Sequence, residues 1–104
     1  NKDELLFDIA ITLNDFCTEY PDVHLNEDKA VAFLTAYETV RPLTEDERAC
    51  LEIYLAMAAG RFWMMRLQVA QKNAAEGRTG DDILQKNPLE MRNMLIERLK
   101  FVTA

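Results

Sequence analysis

The chain has 104 residues, of which 49% are hydrophobic and 29% are charged, and it contains only three glycines and three prolines. This composition is typical of a folded domain and excludes an intrinsically disordered segment. The 18 acidic and 12 basic residues give a net charge of -6 at pH 7. Because lysines and arginines occur singly or in loose pairs, no basic patch offsets this charge, and we expect no binding to nucleic acid or anionic membranes.

The first helix is predicted over residues 3–19 and is apolar around most of its circumference, although it begins close to Asn1. Such a helix needs protein on nearly every side, and we therefore expect this chain to be the tail of a larger protein. Its predicted buried face is Leu5, Leu6, Ile9, Ala10, Leu13, Phe16 and Cys17. Its polar residues share one narrow stripe, formed by Glu4, Asp8, Thr12, Asp15 and Glu19.

The second helix is predicted to begin after the N-cap Asn26, because Glu27 and Asp28 place negative charge in its first turn. It should end at about Arg41, before Pro42. Its predicted core face is Ala30, Phe33, Leu34, Tyr37 and Val40.

The third helix is predicted to begin at Thr44, which together with Glu47 has the spacing of a capping box. It could continue to Asn73, which would make it about 45 Å long at 1.5 Å per residue. A rod of this length would protrude from a globule of 104 residues. We therefore expect either a bend or a close backbone approach at Gly60, or a covering surface from the rest of the protein.

The segment from Glu76 to Asp82 is predicted to be a loop, followed by a short helical turn at residues 83–86. Asn87 and Pro88 then form the start of a last helix over residues 88–102. This helix is predicted to bury Met91, Met94, Leu95, Leu99 and Val102. Because no segment alternates with period two over more than a few residues, the chain is predicted to be all-α, with four main helices.

The apolar window of residues 49–70 has the length of a membrane span, but it contains Glu52, Arg61 and Arg66. Each of these charges costs about 2.5 to 3.5 kcal/mol at the centre of a bilayer, so no transmembrane helix is predicted.

Cys17 and Cys50 each lie within an apolar helical pattern. This placement predicts two buried free thiols in a reducing compartment and favours a cytoplasmic protein; a disulfide between them is the alternative.

His24 is the only histidine, so neither a catalytic triad nor a multi-histidine metal site can be built within this chain. A surface turn is the simpler interpretation of Gly77 to Gly80, because the phosphate-loop pattern is absent. Arg61 and Arg66 interrupt an apolar helix, and they call for an anionic partner, either a structural carboxylate or a substrate group. We predict no catalytic, cofactor-binding or metal-binding residue in this chain.

Three stretches of the sequence, taken together and in this order, are similar to one known family: LLFDIAITLNDFC at residues 5–17, YETVRPLTEDERA at 37–49 and GRFWMMRL at 60–67. They resemble the C-terminal helical region of bacterial type II homoserine kinases. This family belongs to the aminoglycoside phosphotransferase and choline kinase superfamily, whose fold is protein-kinase-like. The resemblance covers nearly the whole chain and weakens after about Asn73.

The resemblance implies transfer of the γ-phosphoryl group of ATP to the hydroxyl of L-homoserine, with Mg²⁺, in threonine biosynthesis. It also implies that residues 1–104 form one helical C-terminal subdomain, without the nucleotide-binding lobe and the catalytic loop. This chain lacks the HxDxxxxN pattern of that loop. We therefore expect the chain to be inactive alone and to have the rest of the kinase as its partner.

The resemblance also assigns roles to individual residues. Asp8 matches the aspartate of an FDIA motif and would orient the catalytic loop. Asn14 and Asp15 match an LNDWC motif, in which Phe16 replaces the more usual tryptophan. The residues implied to contact or wall the acceptor, whose carboxylate and ammonium suit arginine and aspartate, are Asn14, Asp15, Arg61, Trp63 and Arg66.

A stand-alone helical interaction module is the alternative to the kinase, since exposed apolar surface on the first and third helices could bind a partner protein. The upstream sequence would discriminate the two, because a kinase requires the catalytic loop. Residue types alone leave the acceptor open among homoserine, choline and aminoglycosides, and they leave the oligomeric state open.

Overall fold

The computed structural model describes residues 2–77 and 86–103. Within these ranges the chain forms four helices and one short antiparallel ladder, which confirms the predicted all-α class. The elements are α1 (Lys2–Phe16), β1 (Thr18–Glu19), β2 (His24–Leu25), α2 (Glu27–Val40), α3 (Glu45–Ala75) and α4 (Pro88–Thr103). Most of the predicted loop after Gly77 and of the helical turn at residues 83–86 lies outside the described residues.

All three predicted helix starts after α1 are confirmed by their caps. The side chain of Asn26 accepts from the Lys29 amide at 3.0 Å at the start of α2. At the start of α3, the Glu47 amide donates to Thr44 Oγ1 at 3.1 Å and the Thr44 amide donates to Glu47 Oε1 at 2.9 Å. Each bond satisfies a backbone donor that the helix itself leaves free.

The start of α4 is fixed by Asn87, whose Oδ1 accepts from the Leu89 amide at 3.0 Å. Pro88 occupies the first helical position, where its missing N–H costs nothing.

Helix α3 runs unbroken for 31 residues, two residues beyond its predicted end, and the longest dimension of the molecule is 48 Å. Gly60 lies within this helix, beside the side chain of Leu95 on α4. A Cβ at position 60 would lie 3.8 Å from that side chain. Another element therefore approaches at Gly60 as expected, but it approaches through a side chain rather than through its backbone.

The core has two parts. The larger part joins α1, α2 and α3, and its buried residues include Leu6, Ile9, Leu13, Leu51 and Leu55. The smaller part joins α3 and α4 to the turn before β2, and its members are Val23, Ala59, Met91 and Met94, with Phe62, Trp63 and Leu95 packed against them. Helix α3 is therefore the element that contributes to both parts of the core.

The structure corrects four of the predicted buried positions. Phe16 is 75% exposed and Val40 is 87% exposed, because both are the last residues of their helices. Leu99 and Val102 are each 42% exposed. Helical periodicity assigns a residue to a face of its helix, but it does not say whether another element reaches that end of the helix.

Helix α1 ends at Phe16 rather than at the predicted residue 19. Thr18 Oγ1 donates to the carbonyl of Asn14 at 2.5 Å, and Thr18 pairs with Leu25 in the short ladder. Side-chain bonds of this kind compete with continuation of a helix.

Cys17 and Cys50 are both free thiols, which confirms the prediction against a disulfide. Cys17 is buried, whereas Cys50 is only half-buried. Burial raises the pKa of the Cys17 thiol, which favours the unreactive protonated form.

Candidate functional site

An open cleft of about 380 Å³ lies between the end of α1, the second half of α3 and the start of α4. Its apolar lining consists of Phe62, Met65, Val69 and Met91, and its charged lining consists of Asp15, Arg66 and Lys86. A volume of this order suits a small molecule, and a few charged groups in an apolar lining are typical of ligand sites. The cleft thus offers one carboxylate and two cationic groups to a small ligand.

Arg66 is held at the cleft by the beginning of α4. Its Nη1 donates to the carbonyl of Asn87 at 2.7 Å and to Glu90 Oε1 at 3.1 Å. The Arg66 side chain is only 16% exposed. Glu90 is the anionic partner that the sequence predicts for it. Since both bonds come from Nη1, the other guanidinium nitrogens are not used by the residues that the structure describes.

Asp15 lines the same cleft from the last turn of α1. Its residue is exposed, and its carboxylate has no ion-pair partner within residues 2–77 and 86–103. The structure therefore brings together, from α1 and α3, two of the residues predicted to contact the acceptor, Asp15 and Arg66.

Arg61 lies elsewhere on α3. Its residue is exposed, and its guanidinium carbon lies 5.5 Å from the centre of the Phe7 ring, a distance suited to a cation–π contact. Phe7 also packs edge-on against Tyr54, with 5.7 Å between ring centroids. The partner of Arg61 is thus an aromatic ring rather than a carboxylate, and its predicted contact with the acceptor stays a prediction.

Trp63 is half-buried and packs against the smaller part of the core, which contains Met91 and Met94. Met91 also lines the cleft, so Trp63 packs against the part of the core that contributes to the cleft wall.

Asp8 is exposed on α1, two turns before Asp15. Its backbone carbonyl accepts from Thr12 Oγ1 at 2.9 Å, but its carboxylate has no hydrogen-bond partner in the described part of the chain. An exposed carboxylate of this kind is available to a group from outside the chain, as the resemblance implies.

Asn14 is buried, and both polar atoms of its side chain form hydrogen bonds. Its Nδ2 donates to the carbonyl of Leu55 on α3 at 3.0 Å, and its Oδ1 accepts from Nε of Arg98 on α4 at 2.9 Å. The structure therefore places this predicted acceptor residue in the interior, next to Asp15 in sequence, with its side chain bonded to two other helices, α3 and α4.

Arg98 is a buried, hydrogen-bonded residue that the sequence analysis did not single out. It is fully buried, and burial lowers the pKa of its guanidinium, although arginine stays charged in proteins. One signal could have found it, because positions 91, 94, 95 and 98 share one face of a helix. Arg98 therefore occupies a position that the apolar pattern assigns to the core.

His24 is exposed and lies in β2. Its Nδ1 lies 3.2 Å from Glu97 Oε2, and Lys100 Nζ lies 2.8 Å from the other oxygen of the same carboxylate. The contact between His24 and Glu97 joins β2 to α4 at the surface, beside the buried Arg98.

The part of the chain that the structure describes contains no group of three or more histidine, cysteine, aspartate or glutamate side chains that could hold a metal ion. Over the same residues, no helix has the length and hydropathy required to cross a membrane.

Comparison with known proteins gives one consistent result. The chain is 46% identical over 65 residues to the homoserine kinase of Polaromonas naphthalenivorans, a match that covers 62% of this chain and 21% of the relative. It is 46% identical over 66 residues to the homoserine kinase of Cupriavidus taiwanensis, covering 64% of this chain and 20% of that relative. The homoserine kinase of Burkholderia mallei strain SAVP1 matches equally well, at 46% over 65 residues.

The resemblance to homoserine kinases is therefore confirmed, over somewhat less than two thirds of the chain. The matched part spans about a fifth of the length of these relatives. No protein-family model matches the chain, and no solved structure matches it.

Proposed function

We propose that this chain is the helical C-terminal part of an ATP-dependent homoserine kinase and that the cleft between Asp15 and Arg66 forms part of the wall of its acceptor site. The observation that carries the proposal is the presence of these two opposite charges in one small apolar cleft. The similarity to three homoserine kinases supports the choice of acceptor.

The charges of the cleft are complementary to an amino acid. The Asp15 carboxylate accepts hydrogen bonds from an ammonium group, and the guanidinium of Arg66 donates to a carboxylate. Lys86 adds a second positive charge to the lining of the cleft. Homoserine carries both charged groups, whereas choline has no carboxylate and aminoglycosides carry several amines. Of these three acceptors, the cleft is thus most complementary to homoserine.

The role of this chain in the reaction is binding and orientation. Phosphoryl transfer depends mainly on positioning and on neutralising charge around the phosphoryl group. With the ammonium and carboxylate groups of its α-carbon held by Asp15 and Arg66, the acceptor can present its hydroxyl in one direction. In the proposed enzyme, ATP and Mg²⁺ bind to the remainder of the kinase, which supplies the catalytic loop.

The remainder of the proposed kinase has a protein-kinase-like fold, as in aminoglycoside phosphotransferases, and is the main partner of this chain. The Asp8 carboxylate on α1 would meet its catalytic loop and hold it in position. We place the enzyme in the cytoplasm, where the free thiols Cys17 and Cys50 are kept reduced. The alternative of a stand-alone interaction module is not favoured by the similarity to homoserine kinases.

The proposal is tested by an assay of the intact protein with Mg·ATP and a panel of alcohols that contains L-homoserine, choline and an aminoglycoside. We expect phosphorylation of homoserine and much slower transfer to the other two. Transfer to choline or to the aminoglycoside at a comparable kcat/KM would refute the assigned acceptor, and no transfer to any of them would refute the kinase.

A further inference from the structure

Arg98 bonds to three residues of the segment 14–23, which is distant from Arg98 in sequence. Its Nε donates to Asn14 Oδ1 at 2.9 Å, its Nη1 to the carbonyl of Val23 at 2.9 Å, and its Nη2 to Thr18 Oγ1 at 2.8 Å. All three acceptors are neutral, and the side chain is fully buried. A buried charge is costly unless it is well hydrogen-bonded, so these three bonds hold the contacted segments firmly in place.

The bonds continue beyond Arg98 and converge on the last turn of α1. Thr18 Oγ1, which accepts from Arg98, donates in turn to the backbone carbonyl of Asn14. The Asn14 side chain donates to the carbonyl of Leu55 on α3. Both the backbone and the side chain of Asn14 are thereby fixed, and Asn14 is the residue immediately before Asp15.

The backbone at Val23 gives an independent indication that Arg98 imposes a conformation. Val23 has φ of 55°, in the left-handed region that a β-branched residue rarely adopts. Such a conformation persists only where the surroundings enforce it, and it often occurs near functional sites. The surroundings here are the smaller part of the core around the Val23 side chain and Nη1 of Arg98 on its carbonyl.

We propose that Arg98 is a positioning residue for the acceptor site: by fixing Asn14 and the turn from Thr18 to Val23, it sets the direction in which the neighbouring Asp15 carboxylate enters the cleft. The inference rests on the proposed function, since it assigns Asp15 to the acceptor. Arg98 is buried and does not touch the acceptor itself. Its loss should therefore weaken acceptor binding and leave nucleotide binding unchanged.

The test compares Arg98→Met, Arg98→Lys and the milder Thr18→Val in the intact protein. For Arg98→Met we expect the homoserine KM to rise about tenfold and the ATP KM to stay within about twofold of wild type. Arg98→Lys keeps the charge, but its donors are all on one nitrogen and cannot reproduce the planar arrangement of the three guanidinium nitrogens that reach the three acceptors, so it should give only partial rescue. Thr18→Val removes one of the three bonds, and it should raise the homoserine KM by a smaller factor.

Two further substitutions serve as controls. Thr103→Val removes a side-chain bond to the carbonyl four residues earlier, as Thr18→Val does, but Thr103 makes no bond to Arg98. Leu6→Ala leaves a cavity in the larger part of the core, in the first half of α1. It should lower the thermal midpoint without changing the homoserine KM. An equal rise of the homoserine KM in Leu6→Ala, or an equal rise of both KM values in Arg98→Met, would show that Arg98 is only structural.

Amide hydrogen exchange provides a readout that does not depend on the acceptor. In Arg98→Lys and Thr18→Val we expect faster exchange over residues 17–26 than in Leu6→Ala, and unchanged exchange there would overturn the proposal even if Arg98→Met fails to fold. If the wild-type protein does not phosphorylate homoserine, the proposed function fails by itself. The exchange comparison then still decides whether Arg98 fixes this turn.

Discussion

Arg41 donates to both carboxylate oxygens of Glu47, at 3.2 Å from Nη1 and at 3.0 Å from Nη2. This two-point contact joins the end of α2 to the first turn of α3, where Glu47 also closes the capping box with Thr44. The Glu47 side chain is 3% exposed. One carboxylate therefore fixes the connection between two helices.

The first prediction concerns pH. The Arg41 guanidinium and the Thr44 amide lower the pKa of Glu47 from 4.5 to about 2. A carboxylate with a lowered pKa in the folded state stabilises the protein fully above its unfolded pKa, and this contribution is lost as the pH falls through the folded pKa. Thermal midpoints should therefore fall between about pH 5 and pH 2, and they should fall less steeply in Glu47→Gln. An identical pH profile in the two proteins would contradict this role.

The second prediction concerns Gly60. The space beside it accepts a Cβ in ordinary contact with Leu95, and glycine within a helix costs about 1 kcal/mol relative to alanine. Gly60→Ala should therefore raise the unfolding free energy by up to about 1 kcal/mol. Gly77→Ala is the matched control, because Gly77 has φ of 71° and an alanine there is strained. Destabilisation by Gly60→Ala would show that α4 approaches more closely than the structure describes.

The third prediction concerns Asp8. In the intact enzyme, Asp8→Asn should lower kcat at least about tenfold while changing the homoserine KM little, because a residue that orients the catalytic loop acts on the reacting step rather than on acceptor binding. Glu4→Gln, on the same exposed stripe of α1, is the control and should leave kcat unchanged. A change in KM alone for Asp8→Asn would argue against contact with the catalytic loop.

The fourth prediction distinguishes the two arginines of α3. Arg66 lines the cleft, whereas Arg61 lies over the Phe7 ring. Arg66→Met should raise the homoserine KM at least about tenfold, the expected loss for one charge-assisted hydrogen bond, with the ATP KM unchanged. Arg61→Met should raise the homoserine KM by a smaller factor. The reverse order of effects would place the acceptor carboxylate at Arg61.

Helix identity and helix starts could be predicted from the sequence because they depend on local features. Asn26, Thr44 with Glu47, and Asn87 with Pro88 each satisfy backbone donors within a few residues. The residues that line the cleft could be predicted only in part. Asp15 and Arg66 come together through the packing of α1, α3 and α4, and spacing along one helix contains no information about that packing.

The burial of Arg98 could not be predicted from the sequence either, because it also depends on packing between distant segments. A polar residue on an apolar face can equally be an exposed boundary residue or a buried hydrogen-bonded one. The choice depends on acceptors at positions 14, 18 and 23, at least 75 residues away in the chain. Arg61 is a different case. Of the two anionic partners that its apolar surroundings suggest, a structural carboxylate is not found among the described residues, where its contact is the Phe7 ring, and a substrate group stays a prediction.

The central claim is that Asp15 binds the ammonium group of homoserine, and it is tested most directly by the homoserine KM of Asp15→Asn in the intact protein with saturating Mg·ATP. Removal of one charge-assisted contact should raise this KM at least about tenfold and leave the ATP KM unchanged. A homoserine KM equal to that of the wild type would show that the cleft between Asp15 and Arg66 is not the acceptor site.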